Sequence, residues 1–254
     1  MSRATEIYFE IYAELIDNNC LIEICDNPIK NYLKLLSNAP ILEIGSGTGS
    51  DTLCLGHLGK QVVCVEKEES VIGQLKSRID KYALENGIKL NITLLNQTFP
   101  NITLPNSEYS CVVISNLLHF FEYETAAIHV EKAKSLVEPE GYIYIKAHSK
   151  NHPFNKQPGH YPHYKHFYDE TELVSFFNSE FQIIDCSQII TSPSQLEKDI
   201  KSEWIKRYWE EFCREKNNTT LDQLKLLNPL DDPEISIELL VKRKGLIGNL
   251  EHSF

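Results

Sequence analysis

At 254 residues the chain is long enough to bury a full core as one α/β domain or as one domain with an appendage, and one core domain is expected. Its 25 basic against 36 acidic side chains leave a formal charge of −11, which repels a phosphate backbone and disfavours nucleic acid as a partner. No basic and apolar leader opens the sequence and no apolar run reaches membrane-spanning length, so a soluble cytoplasmic protein without a membrane partner is expected.

The first forty residues read as helices. Thr5 caps a segment carrying Ile7, Tyr8, Ile11, Tyr12 and Leu15 at spacings of three and four, and Asn27-Pro28 opens another with Tyr32, Leu35 and Leu36. The period then changes: Ile41-Leu42-Glu43-Ile44 is a short apolar run stopped by glycines, and residues 51–58 resume a helical pattern. The alternation continues with strands at 61–65, 90–95 and 111–114, a helix at 68–85 and another at 124–137. Pro139-Glu140-Gly141 is expected to turn the chain into a strand at 142–147, followed by a helix at 169–177 and a strand at 181–186. Continuous apolar strands separated by helices imply a parallel sheet covered on both faces. Cys64, Cys111 and Cys186 lie inside these runs as small hydrophobes, and seven cysteines without a CxxC pair indicate neither a disulfide framework nor a zinc finger.

Two stretches break the rhythm. Residues 148–168 are crowded with Pro, Gly, His, Tyr and Lys, and a loop of that length more often carries function than merely connects. A helix over 194–216 carries Leu196, Ile200, Trp204, Tyr208 and Phe212 at every fourth place, an apolar stripe that must be buried against the domain or serve as a lid. The last strand covers 235–241. The expected organisation is one domain, with a helical cap at 1–39, a core at 40–192, a helical insertion at 193–233 and a final strand and tail at 234–254.

The chemistry is concentrated in Glu43-Ile44-Gly45-Ser46-Gly47-Thr48-Gly49. Three alternate glycines between a first buried strand and a first helix let the backbone turn tightly and approach a ligand with no Cβ in the way. Glu66 ends the next strand, where an exposed carboxylate can accept both hydroxyls of a ribose. A dinucleotide fingerprint would require a glycine where Ser50 stands, and Glu43 beside the turn suits an ammonium group better than a diphosphate.

This combination resembles the class I, Rossmann-like S-adenosylmethionine-dependent methyltransferases, over residues 40–186 with 235–241 as the closing strand. The resemblance implies a doubly wound α/β fold with a mostly parallel seven-stranded sheet and an antiparallel closing strand, N-terminal helices and a helical insertion before that strand. It also implies S-adenosylmethionine as cofactor. Glu43, Gly45, Gly47 and Gly49 fill the family's first motif, so the turn through Ser46 would lie along the methionine portion. Glu66 would hold the ribose and Lys67 flank the adenine. After the third strand, Asn96-Gln97-Thr98 stands where the family usually has an acidic residue against the adenine amine. Ser115 and Asn116 match the residues that cover the cofactor.

The reaction implied is in-line methyl transfer to an oxygen, nitrogen or activated carbon of a small molecule. A protein acceptor, or a weakly binding chain that acts as an interaction partner, is the alternative. Asn116-Leu117-Leu118-His119 lacks the prolines of the enzymes that methylate base or amide nitrogens. His119 and His148 are the candidate bases, although His119 at a helix start also reads as a wall of the pocket. Five histidines between 148 and 166 raise a metal site, but three intervening prolines break any regular ligand spacing, and none is expected. The mixture of His, Lys and Tyr there suits an anionic or aromatic acceptor.

Overall fold

The computed structural model describes residues 3–19, 28–156, 163–213 and 220–245. Its strands are β1 (Ile41–Ile44), β2 (Val62–Glu66), β3 (Ile92–Asn96), β4 (Tyr109–Ser115), β5 (Val137–His148), β6 (Phe181–Thr191) and β7 (Glu234–Arg243). They form one sheet in the order β3-β2-β1-β4-β5-β7-β6, parallel except for β7, which runs antiparallel to both of its neighbours. Alternation sends Leu42, Ile44, Val63, Val65, Val112 and Ile114 to one face, under Ala126, Val130 and Ala133 of α4 (Tyr123–Leu136). On the other face, Ile41, Val62, Cys64, Cys111 and Val113 pack with Leu36 and with Leu55, which belongs to the helix Ser50–His57. Coverage from both sides is why β1 and β2 are buried along their whole length and read as unbroken apolar runs.

In chain order the other helices are α1 (Arg3–Asn19), α2 (the Ser50–His57 helix), α3 (Glu69–Asn86), α5 (Glu170–Ser175), α6 (Gln195–Tyr208) and α7 (Leu221–Leu227). Asp169 and Ser194 cap α5 and α6 through reciprocal boxes with Glu172 and Glu197, which fixes both starts. Three expectations need correction, and one helix was not expected. Thr5 lies inside α1, so it is not its cap. The second N-terminal helix is one 3-10 turn, Pro28–Tyr32. Pro139-Glu140-Gly141 is not a turn but part of β5, with Glu140 in the left-handed region at φ 67° and the register against β4 shifting between Tyr109 and Cys111. A Cβ on Gly141 would come within 3.0 Å of Ser110 O, so the glycine permits this close approach. Finally, α7 carries too short an apolar pattern to have been read from sequence.

The apolar stripe finds its partner in α1. Leu196, Ile200, Trp204 and Phe212 pack against Ile7, Ile11, Tyr12 and Leu15, while Tyr208 joins Ile205, Cys213 and Leu224 on the α7 side. A π-helical turn at Trp209–Cys213 rotates the end of the stripe, which explains why its last members divide between two clusters. Arg207 bridges Glu14 at 2.6 Å and Arg3 bridges Glu211 at 3.0 Å across the same seam. The expected end of this helix, 214–216, lies outside the described residues. No helix among the described residues is long and apolar enough to cross a membrane.

Candidate active site

Between the end of β1 and the start of α2 the chain reverses in five residues, and Gly45, Gly47 and Gly49 take φ values of 72°, 52° and 82°. The glycines do different work. A Cβ on Gly49 would lie 2.1 Å from Leu75 Cδ1 and one on Gly45 2.9 Å from Leu117 Cδ1, so both answer to packing. At Gly47 the nearest atom is Phe9 Cε1 at 3.9 Å, which leaves room beside the backbone. Phe9 comes from α1, whose Tyr12 hydroxyl lies 3.1 Å from Ser50 Oγ, so this helix borders the turn. From α3, Arg78 donates to Thr48 O at 2.9 Å and holds the turn from the other side. Ser46 is 6% exposed, and its hydroxyl is buried with no hydrogen-bond partner among the described residues.

Glu66 was expected at an exposed strand end and is instead buried, because the glycine turn folds over it. Its Oε2 accepts the Gly47 N–H at 3.2 Å and its Oε1 the Glu68 N–H at 3.0 Å. Glu43 faces α2, where its carboxyl accepts the Thr52 hydroxyl. Burial, with Asp51 adding to it, pushes the Glu43 pKa well above the usual carboxylate range. The protonated form is thus favoured relative to a free carboxyl, and the hydrogen bond to Thr52 ties β1 to α2. Lys67 is exposed, 3.5 Å from Glu68.

At the end of β3, Asn96 Nδ2 donates to the carbonyls of Glu66 and Lys67, both at 3.0 Å. That fixes the amide so that Oδ1, the atom able to accept from an adenine amine, is its other polar atom. Gln97 accepts the Thr103 N–H at 3.3 Å, and Thr98 is exposed. Beyond β4, Ser115 is half-buried and Asn116 turns the chain at φ 51°, its N–H donating to Lys146 O at 2.9 Å.

The histidines form a column. His119 stacks on His148 with ring centroids 3.7 Å apart, and His148 stacks on His152 at 4.2 Å. His119 Nδ1 accepts the His148 N–H at 3.3 Å, while His148 Nδ1 is buried without a hydrogen-bond partner among the described residues. The long loop is pinned to them: Lys165 N–H donates to His119 O and Tyr168 N–H to His148 O, at 2.8 and 2.9 Å. His160 lies outside the described residues. Burial pushes His119 down to about 3 and His152 to about 4, and drives His148 well below the ordinary imidazole value.

These depressed values carry a stability consequence. The unfolded chain binds a proton at each histidine near pH 6.5 and the folded chain does not, so the stability they support is lost as pH falls below that point. Between pH 7 and 5, His119 and His152 should each remove about 2 kcal/mol. Replacing His152 by Phe should make the loss on acidification about 2 kcal/mol smaller than in the parent, with the carboxylates cancelling in the difference. Urea melts of both proteins at the two pH values measure this, and equal losses would mean that His152 titrates normally.

Residues 41–141 match the family model described as a methyltransferase domain. The family uses S-adenosylmethionine. Among curated proteins, the chain is 30% identical over 138 residues to the probable ribosomal RNA small subunit methyltransferase A of Methanosphaera stadtmanae, covering 52% of this chain and 49% of that one. It thus spans about half the length of that relative. A SAM-dependent methyltransferase from Methanosarcina mazei superposes with a TM-score of 0.59 at 14% identity, over 85% of this chain and 97% of its own. The magnesium protoporphyrin IX methyltransferase of Synechocystis, solved with bound SAM, gives 0.51 at 12% identity, over 81% and 70%. Likeness at this level shows the shared fold.

The residues present fit that cofactor. An orphaned Ser46 hydroxyl, open backbone at Gly47 and a buried carboxylate beneath it supply a donor, a close approach and a ribose acceptor in one place. Sequence reasoning missed Phe9, Tyr12 and Arg78, which reach the turn from elements whose docking no local pattern reveals. It also missed Lys146, although a lysine inside an apolar strand was a visible signal.

Proposed function

We propose that the chain transfers a methyl group from S-adenosylmethionine to a small-molecule acceptor by in-line displacement. The observation that carries this reading is the pairing of the open Gly47 backbone with the buried Glu66 carboxylate, joined to the unpartnered Ser46 hydroxyl. Gly45, Ser46, Gly47 and Gly49 line the methionine portion, Glu66 holds the ribose, Lys67, Asn96, Gln97 and Thr98 border the adenine, and Ser115 and Asn116 cover the sulfur side. When bound, the cofactor supplies an electrophilic methyl on a sulfonium. The protein's own part is to align the acceptor and exclude water, since this displacement requires no obligatory catalytic side chain.

His119 is poorly suited as a general base. An imidazole held near 3 accepts a proton weakly at working pH, and its Nδ1 already receives the His148 N–H. We read the column of His119, His148 and His152 as an uncharged aromatic wall of the acceptor space. An RNA acceptor has support from the ribosomal RNA methyltransferase relative, and is opposed by the formal charge of −11.

Calorimetric titration tests the cofactor. S-adenosylmethionine and S-adenosylhomocysteine should bind and NAD should not, because Ser50 stands where the dinucleotide fingerprint needs a glycine for the close helix–strand packing beneath a pyrophosphate. Heat from NAD with none from the sulfonium nucleoside would overturn the assignment.

A further inference from the structure

On the face of the sheet that carries Tyr142 and Tyr144, alternation along β5 brings Lys146 and His148 to the same side. The antiparallel register sets them beside Glu238 and Ser236 of β7, with Glu234 two residues further along. Lys146 Nζ lies 3.2 Å from Glu234 Oε1 and 4.0 Å from Glu238 Oε1. Asp51, two residues past Gly49, acts electrostatically on both Lys146 and Glu238. Tyr8 of α1 is within the field of Glu234. Lys146 thus faces three carboxylates, of which Glu238 also has a hydrogen bond with Tyr144. The next ammonium, Lys201, donates to Pro229 O and lies 5.7 Å from the Phe154 ring at the pocket's far side. The carboxylates outnumber the one cation among them, which costs solvation unless a further cation joins.

Carboxylates alone would not define a site. A second feature lies between them: Ser236 Oγ, on a residue 1% exposed, has no hydrogen-bond partner among the described residues. Across the strand pair, His148 is 7% exposed and its Nδ1 is equally unpartnered. Two buried polar atoms with unmet hydrogen bonds, on paired residues flanked by surplus negative charge, mark a place for a polar cation. Around it stand His152, Phe154 and Tyr164, with Phe154 and Tyr164 stacked at 5.5 Å and His152 against Phe154 at 4.5 Å. The location is one strand from the residues proposed to cover the cofactor, since Ser115 pairs with Lys146.

We propose that this pocket binds the methyl acceptor as an aryl-alkyl amine, its ammonium held between Glu234, Glu238 and Ser236 and its ring against His148, His152 and Phe154. The assignment rests on the methyl-transfer reading and narrows it. Of the anionic or aromatic acceptor expected from the loop's His, Lys and Tyr, this keeps the aromatic character and puts a cation in place of the anion. In the reaction the bound ammonium gives one proton to Glu238, whose burial raises its pKa and suits it to hold a proton. The freed lone pair attacks the methyl carbon. The new N–C bond forms as the C–S bond breaks, the bonding pair stays on sulfur as a thioether, and the nitrogen leaves as an N-methylammonium. Glu238 returns its proton to water.

The test uses three probes of one shape in the presence of saturating S-adenosylhomocysteine: phenethylamine, 2-phenylethanol and 3-phenylpropionate, followed by ligand-observed NMR. Phenethylamine should bind, with the alcohol weaker and the carboxylate silent. Glu234→Gln and Glu238→Gln should each weaken the amine by about tenfold, the loss of a charged hydrogen bond, while leaving S-adenosylhomocysteine affinity unchanged. Ser236→Ala, which removes no charge, should weaken it less and serves if either glutamine variant fails to fold. Equal binding of the carboxylate, an unchanged amine affinity in the variants, or a parallel loss of S-adenosylhomocysteine would each overturn the amine site. Failure of S-adenosylhomocysteine to bind the parent protein would instead overturn the methyl-transfer reading beneath it.

Discussion

Gly49→Ala should lower the stability of the protein by about 2–4 kcal/mol, whereas Gly47→Ala should lower it by only about 1 kcal/mol and damage cofactor binding instead. Both glycines have positive φ, 82° and 52°, so both substitutions place a Cβ against its own backbone. They part company in their surroundings. The Cβ at position 49 would meet Leu75 Cδ1 at 2.1 Å, and Leu75 is fully buried, so relief requires moving α3. The Cβ at position 47 reaches nothing nearer than Phe9 at 3.9 Å and projects into the open space beside the turn, where the cofactor is proposed to lie. Denaturant melts and S-adenosylhomocysteine titrations on the two variants separate the effects. Gly47→Ala should bind at least about tenfold more weakly. A variant at 47 that binds like the parent would show that the ligand does not approach this turn.

Glu66→Ala should weaken S-adenosylhomocysteine by about 1.5–3 kcal/mol, the value of a charged acceptor's hydrogen bonds in a dry site. The geometry adds a second consequence. Because the Glu66 carboxylate already accepts the N–H groups of Gly47 and Glu68, its removal orphans two backbone donors and should reduce stability by about 1–2 kcal/mol. Glu66→Gln keeps an acceptor oxygen and should lie between parent and alanine in both measurements. If the glutamine variant matched the parent in affinity while the alanine variant did not, the charge would be irrelevant and only the hydrogen bond would matter. If neither changed affinity, Glu66 would serve the turn alone.

The order of elements was legible because each rests on short-range rules. β1 at Ile41–Ile44 coincides with its apolar run, α4 and β7 lie within a few residues of their periodic patterns, and Asp169 and Ser194 announced their helices through capping boxes. The parallel sheet followed from the same rules, and its antiparallel closing strand from the resemblance to the methyltransferase family. Elements whose existence depends on contacts were not legible. Glu140 takes a left-handed conformation inside β5 because β4 passes close to Gly141, and no local pattern carries that fact. The two ends of the chain that pack as α1 against α6 are nearly two hundred residues apart, as the ion pair Arg207 to Glu14 makes plain.

The site divides in the same way. A glycine turn after a buried strand states its own purpose, since its backbone conformations are locally determined and few residues permit them. Which of the glycines leaves space, and which are filled by Leu75 and Leu117, was settled by side chains arriving from α3 and from the end of β4. Charge states belong wholly to tertiary structure. Glu43 and the three stacked histidines are all shifted toward their neutral forms because burial removes them from water, and a sequence does not specify burial depth at a strand end. The sequence by itself determined the fold class and the cofactor motif, which are local and repetitive. Only the folded chain decided where Lys146, Glu234, Glu238 and Ser236 meet, because an antiparallel strand from the far end of the chain must pair with β5 before those four side chains share a face.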